Sequence, residues 1–373
     1  MDTKDQKAEF SSPQSMYAET NIAPVPVQPE ALEATSGGIA VAVADDEKLA
    51  VQKRKKSPTP LQDSLRRLRR DTRAMISIGV IVFFFILPLI GPVIYQHIGG
   101  IYHSSLNGAI GPSVYHNPFH QELDRQDEGP SAQYWLGTDD IGRDLFARLM
   151  QGMLISMLVA LLVEVVDIGL GILVGVLAGF YGGWVDQFLA RFTDIMFAFP
   201  GLLFAILLTG IFGTWADTTL DNVPLIGANG NARLLVVSVA LAFVAWPLMA
   251  RYVRGQTLQL KEQQFIEAAR TAGTSNTRII LRHIIPNLFS IVVVASTLNI
   301  AGTIIGEAGL SFLGLGVQPP GSSIGLMIND ALNLTDTHPW EVLLPSIVLT
   351  MIVLALSFFG DGLRDAFDPR SKD

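Results

Sequence analysis

An all-α, polytopic membrane protein with six transmembrane helices is the fold class this sequence predicts, and three observations predict it. Of the 373 residues, 49% are hydrophobic and only 16% charged, with a mean hydropathy of +0.39; a soluble domain carries nearer a quarter charged residues. Six apolar runs are each long enough to cross roughly 30 Å of hydrocarbon. Lys and Arg gather in alternate connecting segments, the asymmetry that orients spans with their basic flanks in the cytoplasm. Cysteine is absent, which excludes disulfides, thiolate metal sites and cysteine nucleophiles and leaves the redox compartment unread.

In chain order, residues 1–60 hold no sustained apolar period and are rich in Ala, Pro, Ser and acids. They read as a disordered cytoplasmic tail. Asp2 and Asp5 near the start, with no apolar run after them, do not fit a signal peptide. The formal net charge is −8, and the first fifty residues, with nine acids against three lysines, account for −6 of it. The balance therefore says little about partners of the membrane part. Residues 61–95 are a basic flank and the first span. Arg66, Arg67, Arg69, Arg70 and Arg73 precede an apolar run over 74–95, so the N-terminus is expected in the cytoplasm. The adjoining span makes the basic block a membrane anchor, and no nucleic-acid partner is expected.

Residues 96–142 are polar and irregular, an expected extracytoplasmic loop. Residues 143–373 carry the other five spans. The second apolar stretch, 149–180, exceeds one span, so its first turns are placed at the interface. YGGWVD (181–186) reads as a tight cytoplasmic turn. The third span is expected over 193–212, kinked at Pro200, and the fourth over 234–252, with Arg251, Arg254 and Lys261 marking the inside. The fifth is expected over 288–315 and the sixth over 342–359. The loop at 317–340, without Lys or Arg, returns outside, and the tail from Gly360 to Asp373 is cytoplasmic. Both termini thus face the cytoplasm of a multi-pass plasma-membrane protein. No internal repeat is evident, which weighs against inverted-repeat secondary transporters.

One polar, basic stretch interrupts this apolar half: FIEAARTAGTSNTRIILRHIIPN, residues 265–287. Ala268 and Ala269 favour helix and present little bulk. Gly273 breaks that helix and allows a turn that residues with a Cβ make less easily. A second helix restarts near Thr277, and Pro286 ends it or begins the next element. The segment is read as two short helices outside the bilayer. Composition also fits an ordinary cytoplasmic loop with a surface helix.

The spacing of Glu267, Ala268, Ala269, Gly273 and Pro286 resembles the EAA loop of ABC-importer permeases. His283 stands where that family generally has an aliphatic residue. WLGTDDIGRDLFARLMQG (135–152), EAGLSFLGLGVQPP (307–320) and GDGLRDAFDPR (360–370) resemble, in order and spacing, segments of the C-type permease subunit of the peptide and nickel importer branch. The resemblance spans most of the membrane core and omits the first sixty residues. It implies a type I ABC importer permease fold forming half of a translocation path. It also implies a second, B-type permease, two cytoplasmic ABC ATPases and an extracytoplasmic substrate-binding protein as partners. In that family 265–287 is the coupling segment: Glu267 would pair with a basic residue on the ATPase, Ala268 and Ala269 would permit close approach, and Gly273 would hold the bend. Dipeptides, longer peptides and nickel chelates all remain open as cargo.

The residues agree with a non-enzyme. No G-x-x-x-x-G-K-[ST] loop for nucleotide phosphates occurs, and no H-E-x-x-H metalloprotease pattern is present. No catalytic residue, cofactor or metal site is assigned; the six histidines are scattered among the outer loops and the coupling segment. Glu164 and Asp167, three residues apart in the second apolar stretch, share a helix face. Acids at that depth are costly and face a cavity or a partner. They are read either as a wall of the translocation path or as groups packed on a polar partner. Glu307 calls for a structural partner, and Asp361, Arg364 and Asp365 can pair along one turn as a clamp near the ATPase interface. The alternative from another class is a stand-alone channel or secondary transporter for small solutes.

Overall fold

The structure, a computed structural model, describes residues 60–105, 107–220, 223 and 230–367. The expected disordered tail and the last six residues lie outside these. Among the described residues, six helices are long and apolar enough to cross a membrane.

Helix α1 (Pro60–Leu68) carries Arg66 and Arg67 in its last turn, so part of the basic block is itself helical. Asp71 then caps α2 (Thr72–Tyr95), its Oδ1 accepting from the backbone of Arg73 and Ala74. Three free N–H groups of the first turn would otherwise face the interface unpaired.

The segment 96–142, expected as an irregular outer loop, is far more ordered than its polar composition suggested. Strands β1 (Tyr102–Ser104) and β2 (Gly108–Ile110) form an antiparallel hairpin with Tyr102 opposite Ile110. The short helix α3 (Pro112–Tyr115) follows, and Ile110, Tyr115 and Tyr134 form a small core. Glu122 is fully buried here. It accepts from Ser104, from Asn107 Nδ2 at 3.1 Å and from His120 at 3.2 Å. Internal hydrogen bonds satisfy the polar groups that made the segment read as irregular.

Asp144 caps α4 (Leu145–Tyr181), one unbroken 37-residue helix. At 1.5 Å per residue it is about 55 Å long, so the first turns extend well past the bilayer core. Its far end packs on α7 (Ala232–Lys261) along Gly171, Gly175 and Gly179. A Cβ on Gly175 would lie 2.6 Å from the Ala250 carbonyl oxygen, and one on Gly179 2.7 Å from Thr257 Cβ. The two backbones are in contact, as small-residue seams allow within membranes.

Between these two, the expected third span is corrected. Gly182 turns the chain with φ +66°, and α5 (Gly183–Ala198) starts at once. Phe199 is extended, and a separate helix, α6 (Gly201–Leu220), is the spanning element. Pro200 therefore breaks the helix rather than kinking it, because the residue before a proline is driven out of the helical region.

After α7 come α8 (Gln264–Thr271) and α9 (Asn276–Ile279). The chain stays helical through a π turn (Ile280–Ile284) and a 3-10 turn (Ile285–Leu288) into α10 (Phe289–Phe312). Pro286 sits at the start of that 3-10 turn, where its missing N–H is harmless. The next connection is not a plain outer loop. Helix α11 (Ile324–Asp330) folds back against α10, with Ile324, Gly325, Leu326 and Met327 buried. The last span, α12 (Pro339–Phe367), continues through the signature at its end. Among the described residues Asp361 and Arg364 make no ion pair with each other, contrary to the expected pairing along that turn. They border, with Asp71 and Arg73, a surface cleft of about 290 Å³.

Candidate functional site

The coupling segment is built around one buried side chain. Ile266 of α8 is fully buried among Val176, Phe180, Met249, Val253, Ile279, Ile284 and Leu288. It pins an otherwise polar helix to the ends of α4 and α7; fully burying such a side chain contributes about 1.5–3 kcal/mol. The Arg270 guanidinium lies 5.5 Å from the Phe180 ring centre, and Phe265 and His283 rings are 6.4 Å apart. His283 is thus half-buried between the two short helices rather than turned outward.

Helix α8 ends by a defined backbone motif. Gly273 N–H donates to the Arg270 carbonyl at 2.9 Å and Thr274 N–H to the Ala269 carbonyl at 3.0 Å. This pair of bonds closes a helix when the residue between has positive φ, and Gly273 has φ +77°. Among the described residues, none beyond its chain neighbours lies within 4 Å of where a Gly273 Cβ would stand. The backbone demands glycine there; packing within this chain does not.

Glu267, Ala268, Gly273 and Pro286 are exposed, and the Glu267 carboxylate has no partner among the described residues. Ala269 differs: it is half-buried and packs against the Ile266 cluster. Adjacent helical positions point about 100° apart, and the step from Ala268 to Ala269 turns from the open face toward the bundle. Two ion pairs brace the same end of the molecule. Arg254 grips Asp186 through Nε at 2.5 Å and Nη2 at 2.8 Å, and Arg251 reaches Asp194 at 2.8 Å. The Arg254 hydrogen bonds hold the Asp186 carboxyl below its ordinary range.

Deep in the bundle, Glu164 and Asp167 are brought together on one partner. Asn299 of α10 donates its side-chain amide to Glu164 at 3.2 Å and to Asp167 at 3.0 Å. Both acids are buried, and Asn299 gives them one polar partner within this chain. Glu307 is fully enclosed, with hydroxyl donors from Ser156 at 2.5 Å and Ser311 at 2.7 Å. Sequence reasoning missed Asn299, an amide in an apolar run 132 positions from Asp167.

At the opposite end of α4, the WLGTDDIGRD stretch forms a buried charge cluster. Arg148 is 1% exposed and bridges Asp139 and Asp330, the latter at 3.1 Å. Arg143 Nε adds a bond of 2.7 Å to Asp139. His116 joins the outer segment to the helix cap, its Nδ1 2.6 Å from Asp144 and its Nε2 3.1 Å from the Ile98 carbonyl. Asp330 stands 182 positions from Arg148, a pairing that no local spacing could announce.

Compared with known proteins, residues 171–373 match the family described as binding-protein-dependent transport system inner membrane component. Residues 59–103 match the N-terminal transmembrane domain of oligopeptide transport permease C. The glutathione transport system permease protein GsiD of Salmonella typhimurium is 40% identical over 314 residues, 84% of this chain and 92% of that protein. The dipeptide transport system permease protein DppC of Alkalihalophilus pseudofirmus is 33% identical over 314 residues, 84% and 91%. Among solved structures, the MetNI methionine ABC transporter in an inward-facing conformation aligns with a TM-score of 0.43 at 18% identity, over 58% of this chain and 95% of that one.

Proposed function

The chain belongs to the family of binding-protein-dependent transport system inner membrane components, and from that premise we propose that it is one half of an ATP-driven import channel for short peptides. A second permease completes the path, two cytoplasmic ATPases dock on the coupling segment, and a substrate-binding protein delivers cargo on the other side. The observation that carries this reading is the construction of the coupling segment. Ile266 and the Gly273 turn hold α8 firmly to the bundle while Glu267 and Ala268 are left open and unpaired. A helix so displayed offers a small, partly acidic face to another protein, and a push on it passes straight into α4, α7 and α10. ATPase closure would rotate these spans and open the path alternately to the two sides. A peptide cargo is supported by relatives whose names specify glutathione and dipeptide transport.

Uptake of a labelled dipeptide and of glutathione into proteoliposomes, with the partner permease, both ATPases and the binding protein, tests this. Uptake that needs ATP and every partner is expected. Solute flux through this chain alone would favour a stand-alone channel, and selective uptake of a nickel chelate would move the substrate class.

The orientation follows from the arginines that precede α2 and those that end α7. Reporter fusions at Asn117 and Thr337 are expected to read outside, and one at Gly273 inside. An external signal at Gly273 would invert the topology and remove the ATPase from reach of its docking face.

A further inference from the structure

We infer that the end of the bundle opposite the coupling segment holds a binding site for a divalent first-row transition ion, formed by Asp127, His338 and Glu341. One ligand atom from each of these residues lies within 4.8 Å of the others. Asp127 comes from the outer segment, His338 from the residue before α12, and Glu341 from its first turn. The set is two carboxylates and one imidazole, with Asp127 and His338 standing 211 positions apart in the sequence, so no motif spacing marks it.

Several independent observations point into this cluster. Glu341 is 2% exposed, and its Oε1 is buried without a hydrogen-bond partner. Asp127 Oδ1 is likewise buried and unpaired. Two carboxylates that each keep an orphaned buried oxygen, with ligand atoms within 4.8 Å of each other, make an arrangement that a cation relieves. The surroundings add to the negative charge: Asp139 and Asp140 act on Glu341 as well, against Arg148. The Arg148 guanidinium is already committed to Asp139 and Asp330. Asp127 is the one non-glycine residue of positive φ (52°) among those described, and its N–H is tied to the Asp139 carbonyl. On the imidazole, Nδ1 meets the Thr337 hydroxyl at 3.1 Å, which leaves Nε2 open. A second-sphere partner on the other ring nitrogen is the usual setting of a ligating histidine.

The donor set selects the class of ion. Imidazole favours zinc, nickel, iron and copper over calcium and magnesium, while the carboxylates suit harder ions, so a borderline divalent ion such as zinc fits both. Metal–ligand bonds of roughly 2.0–2.2 Å would draw the three arms closer than they now stand, a movement within the reach of side-chain rotation. Three protein ligands leave a position for water. The bound ion would tie the outer segment to the start of the last span and neutralise the buried acids.

The test uses the full chain purified in detergent, titrated with zinc in competition with a chromophoric chelator. His338→Ala and Glu341→Gln are titrated beside the wild type, with melting temperature recorded for each. The expected result is one saturable zinc ion per chain, bound about tenfold or more weakly in both variants, with calcium and magnesium far weaker in the wild type. His338 is only half-buried, so His338→Ala carries the comparison if Glu341→Gln fails to fold. No saturable zinc binding by the wild type, or an affinity unchanged in either folded variant, overturns the site.

Discussion

Aspartate at Gly273 is expected to abolish substrate uptake and substrate-stimulated ATP hydrolysis while the protein still inserts and still pairs with its partner permease. Gly273 has φ +77°, where an L-residue costs about 1–2 kcal/mol. That strain falls on an exposed turn, and the chain itself leaves open space where a Cβ would stand. It is too small and too local to unfold six spans. Under the proposed docking, the substitution changes the surface offered to the ATPase: it sets a carboxylate into a close contact, where an unpaired charge is strongly disfavoured. Asparagine at the same position tolerates positive φ without the charge and is expected to keep part of the activity. The measurements are peptide uptake and ATPase rate in proteoliposomes holding the assembled complex, normalised to the amount of this chain. Uptake by Gly273→Asp near the wild-type rate would show that residues 265–287 are a surface loop and no more.

The second large effect is expected at the other end of α4. Arg148→Ala should lower the melting temperature of the purified chain by about 6 °C or more, from a loss of roughly 3–5 kcal/mol. Arg148 is 1% exposed and neutralises Asp139, which is 3% exposed, together with Asp330. Removing one member of such a group strands the others: Asp139 would keep Arg143 as its one countercharge, and the space of a large side chain would stand empty. Arg148→Met, which restores most of the volume but not the charge, is expected to recover only the packing part of the loss. A shift below 2 °C in Arg148→Ala would mean that water reaches Asp139 and replaces the guanidinium.

The contrast between these two sites explains what could be read in advance. The spans were legible because a bilayer imposes length and apolarity on each one separately. Gly273 was legible because a helix stop is a local event, written in the residues that make it. The break at Pro200 was read too weakly, since nothing local distinguishes a kinked span from two helices. The order of residues 96–142 stayed hidden because Glu122 and His116 look like solvent-facing groups until their partners fold around them. Asn299 and Asp330 were invisible as partners for a plainer reason: each lies more than a hundred residues from the acid or arginine it serves. Of the two alanines at 268 and 269, the motif treated both as one surface, and only helix geometry separates them.

The glycine seam between α4 and α7 has a mechanical consequence. Where side chains separate two helices, rotamer changes can absorb a displacement before it travels. Along Gly171, Gly175 and Gly179 there is no such cushion, because backbone rests on the flank of α7. The pair therefore bends as one beam, with a stiffness neither helix has alone. Since Ile266 wedges α8 against both members of that pair at one end, and Arg148 anchors α4 to α11 at the other, a load applied at the first end reaches the second with little lost to slack.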